Sequence, residues 1–293
     1  GFFIGVSSGA TVVLSQAYGA GDRKGVSDSI HTGVALSLVL GVMLTAIGIC
    51  LGGRVMGWMG TPENCMGDAT TYLRIYFAGS IGTVVYNMGA GILRAMGDSK
   101  RPMLFLMVTC ILNVVLDLLF VAVLHMGVAG AALATVLSQM ISAVLPIVVL
   151  LRQKEDRLEL RKLRIERSLL GRILHIGIPA GLQFVTFDFS NILIQSGINY
   201  FGDITMAAWT AHGKTDALTW MVTGAFGVSI TTFVGQNFGA QKYSRIRKGT
   251  WTCLAMGVVM VAALDALLLA FRTPILGIYT DNPEVIAVGG MVM

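Results

Sequence analysis

Nine apolar segments run through this chain, and each is long enough to form a helix. They span roughly 2–19, 31–53, 70–93, 103–124, 128–151, 172–199, 204–235 and 249–271, and a ninth starts near 284. About 20 apolar residues cross the hydrocarbon of a bilayer as a helix. There the backbone must satisfy its own hydrogen bonds, which a helix does within one segment. The chain is 55% hydrophobic and 13% charged, where soluble domains carry about 25% charged residues. The expected fold is all-α and integral to the membrane, a polytopic helical bundle.

The connections between segments alternate in charge. The odd ones hold Arg23 and Lys24, then Arg94, Lys100 and Arg101, then eight basic residues from Arg152 to Arg172, then Lys242, Arg245, Arg247 and Lys248. That is seventeen of the 21 basic residues. The even connections carry Glu63 and Asp68, then Asp203, then Asp281 and Glu284. By the positive-inside rule, the loops near residues 23, 98, 160 and 245 face the cytoplasm. A missed or extra helix would scramble this pattern. The net charge of +5 thus belongs to topology, and no nucleic-acid partner is expected. Leu158, Leu160, Leu163, Ile165, Leu169 and Leu170 interleave with the charges of 152–172. That connection reads as a cytoplasmic linker, part of it an amphipathic helix on the membrane surface. Cys50, Cys65, Cys110 and Cys253 are scattered and form no metal-ligand spacing. No nucleophile–base pattern and no nucleotide motif appears, so neither an enzyme nor a cofactor is expected.

The chain also repeats itself. Residues 11–20 (TVVLSQAYGA) align with 231–240 (TTFVGQNFGA) at an offset of 220. Gly57 and Gly277 keep that offset, and Pro62-Glu63 and Pro283-Glu284 follow with one residue inserted. The charge alternation sends both copies across the membrane in the same direction, the parallel repeat that many transporters share. The expected division is a first lobe at 1–151, a cytoplasmic linker at 152–171 and a second lobe at 172–293. By the repeat, a helix before residue 1 and several after 293 complete two six-helix halves.

Asp117 lies inside the segment 103–124, with Asn113 one helical turn before it. A carboxylate there costs at least about 2.5–3.5 kcal/mol on insertion scales. At i, i+4 the two share a helix face. An amide oxygen and a carboxylate on one face can coordinate a small cation or hold a proton; the other reading is a polar contact that locks two helices. Thr135 is a candidate partner on the next segment, reached through the short connection at 125–127. Gly127, Gly130, Ala131 and Ala134 permit close approach of the two helices. On the seventh segment His212 and Asp216 are one turn apart and can pair, while Lys214 points elsewhere. Either they line a substrate cavity or they form a salt bridge at the outer end. Asp188, with Asn191 and Gln195 on a nearby face, is a second protonatable group, a substrate contact or a buried structural acid. Pro179 is expected to kink its helix. Asp265, near the outer end of its helix, receives no role.

Several stretches taken together resemble one family. Residues 93–102 (LRAMGDSKRP), 113–117 (NVVLD), 127–135 (GVAGAALAT), 176–183 (IGIPAGLQ) and 232–240 (TFVGQNFGA) are similar, in this order, to the multidrug and toxic compound extrusion (MATE) family of bacterial transporters. The resemblance implies twelve helices in two lobes, about nine of them present here. It implies a monomeric, multi-pass protein of the bacterial inner membrane, whose lobes rock to export organic cations and drugs in exchange for Na+ or H+. Asn113, Asp117 and Thr135 match the family's first-lobe cation site residue by residue, with the Ala131 carbonyl as a further ligand. If the ion is Na+, Asp117 and Asn113 are its metal ligands. Gln183, Asp188, His212, Lys214 and Asp216 are the candidate cavity residues. The rival readings are a lipid-linked oligosaccharide flippase of the same superfamily, which needs a cationic cavity, and a membrane interaction protein that transports nothing.

Overall fold

The computed structural model describes residues 1–58, 63–280 and 282–292. Asp281 and the Pro62 match of the repeat lie outside the described residues, as does the side chain of Cys65. All regular structure among the described residues is helical. The helices are α1 (Phe2–Gly19), α2 (Arg23–Trp58), α3 (Glu63–Ala78), α4 (Ser80–Ala95) and α5 (Lys100–Asp117), the last continued by a π-helix at Leu118–Val123. Then come α6 (Gly127–Arg152), α7 (Arg167–Asn199), α8 (Asp203–Gly239), α9 (Tyr243–Ala270), α10 (Arg272–Gly277) and α11 (Pro283–Val292). Six stretches are long and apolar enough to cross a membrane: 23–54, 100–123, 127–152, 167–198, 203–239 and 243–270.

One expectation needs correction. The segment 70–93 is not one helix but α3 and α4, broken at Gly79, where the backbone runs against the Val136 side chain. Pro179 lies inside α7, which is assigned as α-helix from Arg167 to Asn199. Between α6 and α7 the linker holds a 3-10 turn at Leu160–Lys162, and the end of the connection, residues 167–172, is the start of α7.

The linker stays irregular because α2 supplies partners for its backbone. His31, 3% exposed, accepts the Glu159 N–H on Nε2 at 3.0 Å. Its Nδ1 lies 2.6 Å from the Ser27 carbonyl, so the geometry requires the Nδ1–H tautomer. Thr32 Oγ1 accepts the Glu166 N–H at 3.3 Å, and Arg164 pairs with Asp28 at 2.9 Å. Lys162, hydrogen-bonded to Glu159, holds that carboxyl below the usual carboxylate range. Leu158 is fully buried among Leu14, Ile30, Leu150 and Ile173 in the main core. His31→Leu leaves the Glu159 N–H unpaired, and thermal unfolding in detergent should show a loss of about 1–3 kcal/mol. Arg164→Ala, which breaks a solvated ion pair, should cost under about 1 kcal/mol.

By packing, residues 1–182 form one compact unit and 183–293 another. The linker and the first half of α7 therefore belong with the first unit, whereas the expected second lobe began at 172. In the first unit α4 packs on α1, α2 and α6, and α5 packs on α6. Helix α5 buries only Pro102 and Thr109; its apolar outer face, including Ile111 at 66% exposure, suits lipid. In the second unit α8 packs on α9 and α11.

The repeat is visible in backbone geometry. At the end of α1 the Gly21 N–H bonds the Tyr18 carbonyl and the Asp22 N–H bonds that of Ala17. At the end of α8 the Gln241 N–H bonds Phe238 and the Lys242 N–H bonds Asn237. Each pair is a Schellman motif, which needs a left-handed residue at its centre. Gly21 has φ +70° and Gln241 has φ +57°. Glycine takes that conformation freely, while other residues pay roughly 1–2 kcal/mol. Gln241→Gly should therefore raise thermal stability and Gly21→Gln lower it, each by about 1 kcal/mol.

Candidate cation-binding site

A cavity of about 430 Å³ opens among α4, α5 and α6. Thr83, Tyr86 and Asn87 line it from α4, Leu106, Thr109, Cys110 and Asn113 from α5, and Thr135, Ser138, Gln139 and Ser142 from α6. Most of the lining residues carry a hydroxyl or an amide, beside Leu106 and Cys110, and none is basic. Thr83 donates to Gln139 Oε1 at 2.8 Å, and Asn87 Nδ2 donates to the Thr83 carbonyl at 2.8 Å. The Tyr86 hydroxyl reaches the Pro102 carbonyl at 3.1 Å. Thr109, Thr135 and Ser138 donate to carbonyls one turn back in their own helices, Thr135 to Ala131 at 3.0 Å. Each such bond leaves the hydroxyl oxygen a free lone pair facing the cavity.

Two atoms have no partner. Nδ2 of Asn113 and Oγ of Ser142 are buried without a hydrogen bond among the described residues. A half-turn of the Asn113 amide presents its oxygen at the same point. Oxygen donors of this kind suit hard cations.

Asn113 and Thr135 thus line one cavity, and Ala131 is joined to it only through the Thr135 hydroxyl that its carbonyl accepts. Asp117 stands one turn beyond Asn113, half-buried, and does not line the cavity. Its carboxylate has no hydrogen-bond or ion-pair partner among the described residues. Asp117 is also the last α-helical residue of α5. The expected uniform helix over 103–124 opens there into the π-helix Leu118–Val123. The Leu124 N–H reaches back five residues to Leu119 at 2.9 Å. Such turns are rare and concentrate at functional sites. The apolar run LLFVAV gave no sign of it.

Thr83, Asn87, Ser138, Gln139 and Ser142 were not singled out from the sequence. The signal existed: polar residues at 83 and 87, and at 135, 138, 139 and 142, recur every three or four positions, as one helix face requires. Elsewhere, Gln183, Asp188 and Lys214 are exposed. The expected His212–Asp216 pair does not form. Asp216 Oδ2 instead accepts Trp220 Nε1 at 2.9 Å. His212 packs beside Trp209, ring centres 5.6 Å apart, with Nδ1 buried and unpartnered.

The family model described as MatE matches residues 1–119 and 179–293, both units and the α5 half of the site. This chain belongs to the MATE family. The probable multidrug resistance protein YpnP of Bacillus subtilis is 31% identical over 98% of this chain and 64% of its own length. The FAD transporter of Shewanella oneidensis is 24% identical over 97% of this chain and 64% of its own. An outward-facing multidrug resistance MATE transporter of the MOP superfamily superposes with a TM-score of 0.90 at 24% identity, over 99% of this chain and 65% of that one. A MOP superfamily transporter from Pyrococcus furiosus, with a binding pocket of reversed polarity, matches at 0.90 and 25% identity, over 99% and 65%. The chain thus spans just under two thirds of these relatives. As a MATE protein with six apolar candidate spans, it is a multi-pass membrane protein with the MATE fold.

Proposed function

We propose that this MATE protein is part of a secondary antiporter that exports organic cations or drugs in exchange for Na+ or H+. The observation that carries this reading is Asp117, a carboxylate in an apolar span with no hydrogen-bond or ion-pair partner among the described residues, one turn from Asn113, whose buried Nδ2 has none among them either. Intramembrane acids otherwise pair with a neighbour or mark an ion path. Asp117 and Asn113 hold the incoming cation, and the hydroxyl of Thr135 and the carbonyl of Ala131 complete the shell. Binding there favours one of two shapes of the carrier, which alternates access between the two sides. A flippase needs a cationic cavity for the phosphates of its lipid-linked substrates, and Lys214 is nearly the only basic residue within the apolar segments of this sequence, which favours cationic cargo. The protein resides as a monomer in the bacterial inner membrane, with the loops near 23, 98, 160 and 245 in the cytoplasm.

The test uses the full-length protein in proteoliposomes. A Na+ or an H+ gradient is imposed and a fluorescent organic cation is followed. Export driven by one gradient and not the other supports the reading and names the ion. No export under either gradient, with translocation of a lipid-linked substrate in the same vesicles, would overturn it.

A further inference from the structure

A second group of ionisable side chains meets in the second unit, away from Asp117. Asp265 of α9, for which the sequence suggested no role, comes to the face of α8 that carries His212 and Asp216. The three line a cavity of about 260 Å³ together with Thr215 and Thr219. Thr219 Oγ1 donates to Asp265 Oδ1 at 2.9 Å, and Trp220 Nε1 donates to Asp216 Oδ2 at 2.9 Å. His212 Nδ1, also buried, has no partner among the described residues. Each carboxylate therefore has one identified donor, and neither has a cation. The helices here are apolar spans. Two ionised carboxylates and one imidazole around one cavity carry net negative charge whether or not the ring is protonated, and such charge is costly inside a bilayer.

We propose that Asp216, Asp265 and His212 form a second cation site, which takes up a proton. The three do not close into a metal-chelating group among the described residues, whereas a single proton needs only one oxygen. Other charges on the surrounding helices do not neutralise the cluster. Lys214 is exposed and, two residues from both His212 and Asp216, lies on another face of α8. Arg272 of α10 bonds the Gly290 carbonyl, Glu284 begins α11, and Asp188 of α7 adds an acid beside Phe187.

The site has a built-in output. The Trp220 ring packs edge-on against Phe187 of α7, centres 4.9 Å apart. A hydrogen bond to an ionised carboxylate is roughly twice as strong as one to a neutral partner. Proton uptake at Asp216 therefore loosens the bond that orients Trp220, and with it the contact between α8 and α7.

The role in coupling rests on the antiporter reading, but proton binding is measured apart from transport. Full-length protein in nanodiscs is titrated with acid while tryptophan fluorescence is followed, with Trp220→Phe to assign the signal. Infrared difference spectra record protonated carboxyl bands in parallel. The expected result is a pH-dependent change in Trp220 fluorescence that is lost in Asp216→Asn and shifted in midpoint in Asp265→Asn and in His212→Gln. Correct folding of each variant is checked by its elution profile. The proposal is overturned if fluorescence and carboxyl bands follow pH equally in wild type and in the double Asp216→Asn, Asp265→Asn variant. It is also overturned if Na+ at constant pH evokes the full change. Intact titration with no gradient-driven export would sink the antiporter reading and leave this site standing.

Discussion

Asp117→Asn is expected to abolish gradient-driven export while leaving the protein as stable as wild type, or slightly more stable. The two halves of that result have one cause. The carboxylate has no hydrogen-bond or ion-pair partner among the described residues, so the isosteric amide breaks no contact. It also removes an uncompensated acid from an apolar span, where ionised residues cost about 2.5–3.5 kcal/mol at mid-helix. What is lost is the ability to bind an ion in one state of the carrier more tightly than in the other. Coupling between sites typically amounts to about 1–3 kcal/mol, or roughly 5–150-fold, and only a differential affinity can shift a conformational equilibrium. Loss of that coupling takes the ion-driven part of export down by at least about fivefold, to the level of the uncoupled leak. Downhill leak of the organic cation, which needs no coupling ion, should survive. Transport assays and thermal unfolding on the same preparation check both halves. Retained coupling in Asp117→Asn would reduce Asp117 to a packing residue.

Gly5→Val and Gly177→Val are expected to remove the folded protein. Helices α1 and α7 cross on two glycine pairs, Gly5 and Gly9 against Gly177 and Gly181. A Cβ at Gly5 would fall on the Gly181 backbone, and one at Gly177 would lie 2.8 Å from the Val6 Cα. Backbone cannot swing aside as a side chain can. Between helices in lipid, attraction comes largely from close packing rather than from a hydrophobic drive. Forcing the crossing apart therefore removes most of what holds it, and a loss above about 3 kcal/mol follows. Yield and unfolding temperature in detergent measure it. Gly171→Ala, on α7 where a Cβ meets nothing within 4 Å, should be tolerated. Helix α7 carries the chain out of the first unit at Leu182, directly after this crossing, so the first unit anchors α7 just before it enters the second.

Hydropathy and the 220-residue offset are properties of the chain alone, and they reappear in the structure as helices and as two matching turns. Asn113 and Thr135 were legible for the same reason: a polar side chain in an apolar helix stands out, and 3.6-residue periodicity assigns it a face. The break at Gly79 was not legible, and the side chain that packs on its backbone, Val136, is 57 positions away. Neither was the docking of the linker, whose backbone partners His31 and Thr32 sit on a helix more than a hundred residues earlier.

Composition and periodicity determined that this protein is a helical membrane protein, because the bilayer tests each segment separately for length and polarity; five short motifs in order carried the likeness to the MATE family. Only the tertiary structure decided which polar groups share a cavity. It set Asn113, Thr135 and Ser142 around one cavity, opened a π-turn after Asp117, and in place of a His212–Asp216 pair formed a cluster that includes Asp265. Those outcomes depend on how two helices rotate and cross, which is set by close packing between them and is written in no single helix.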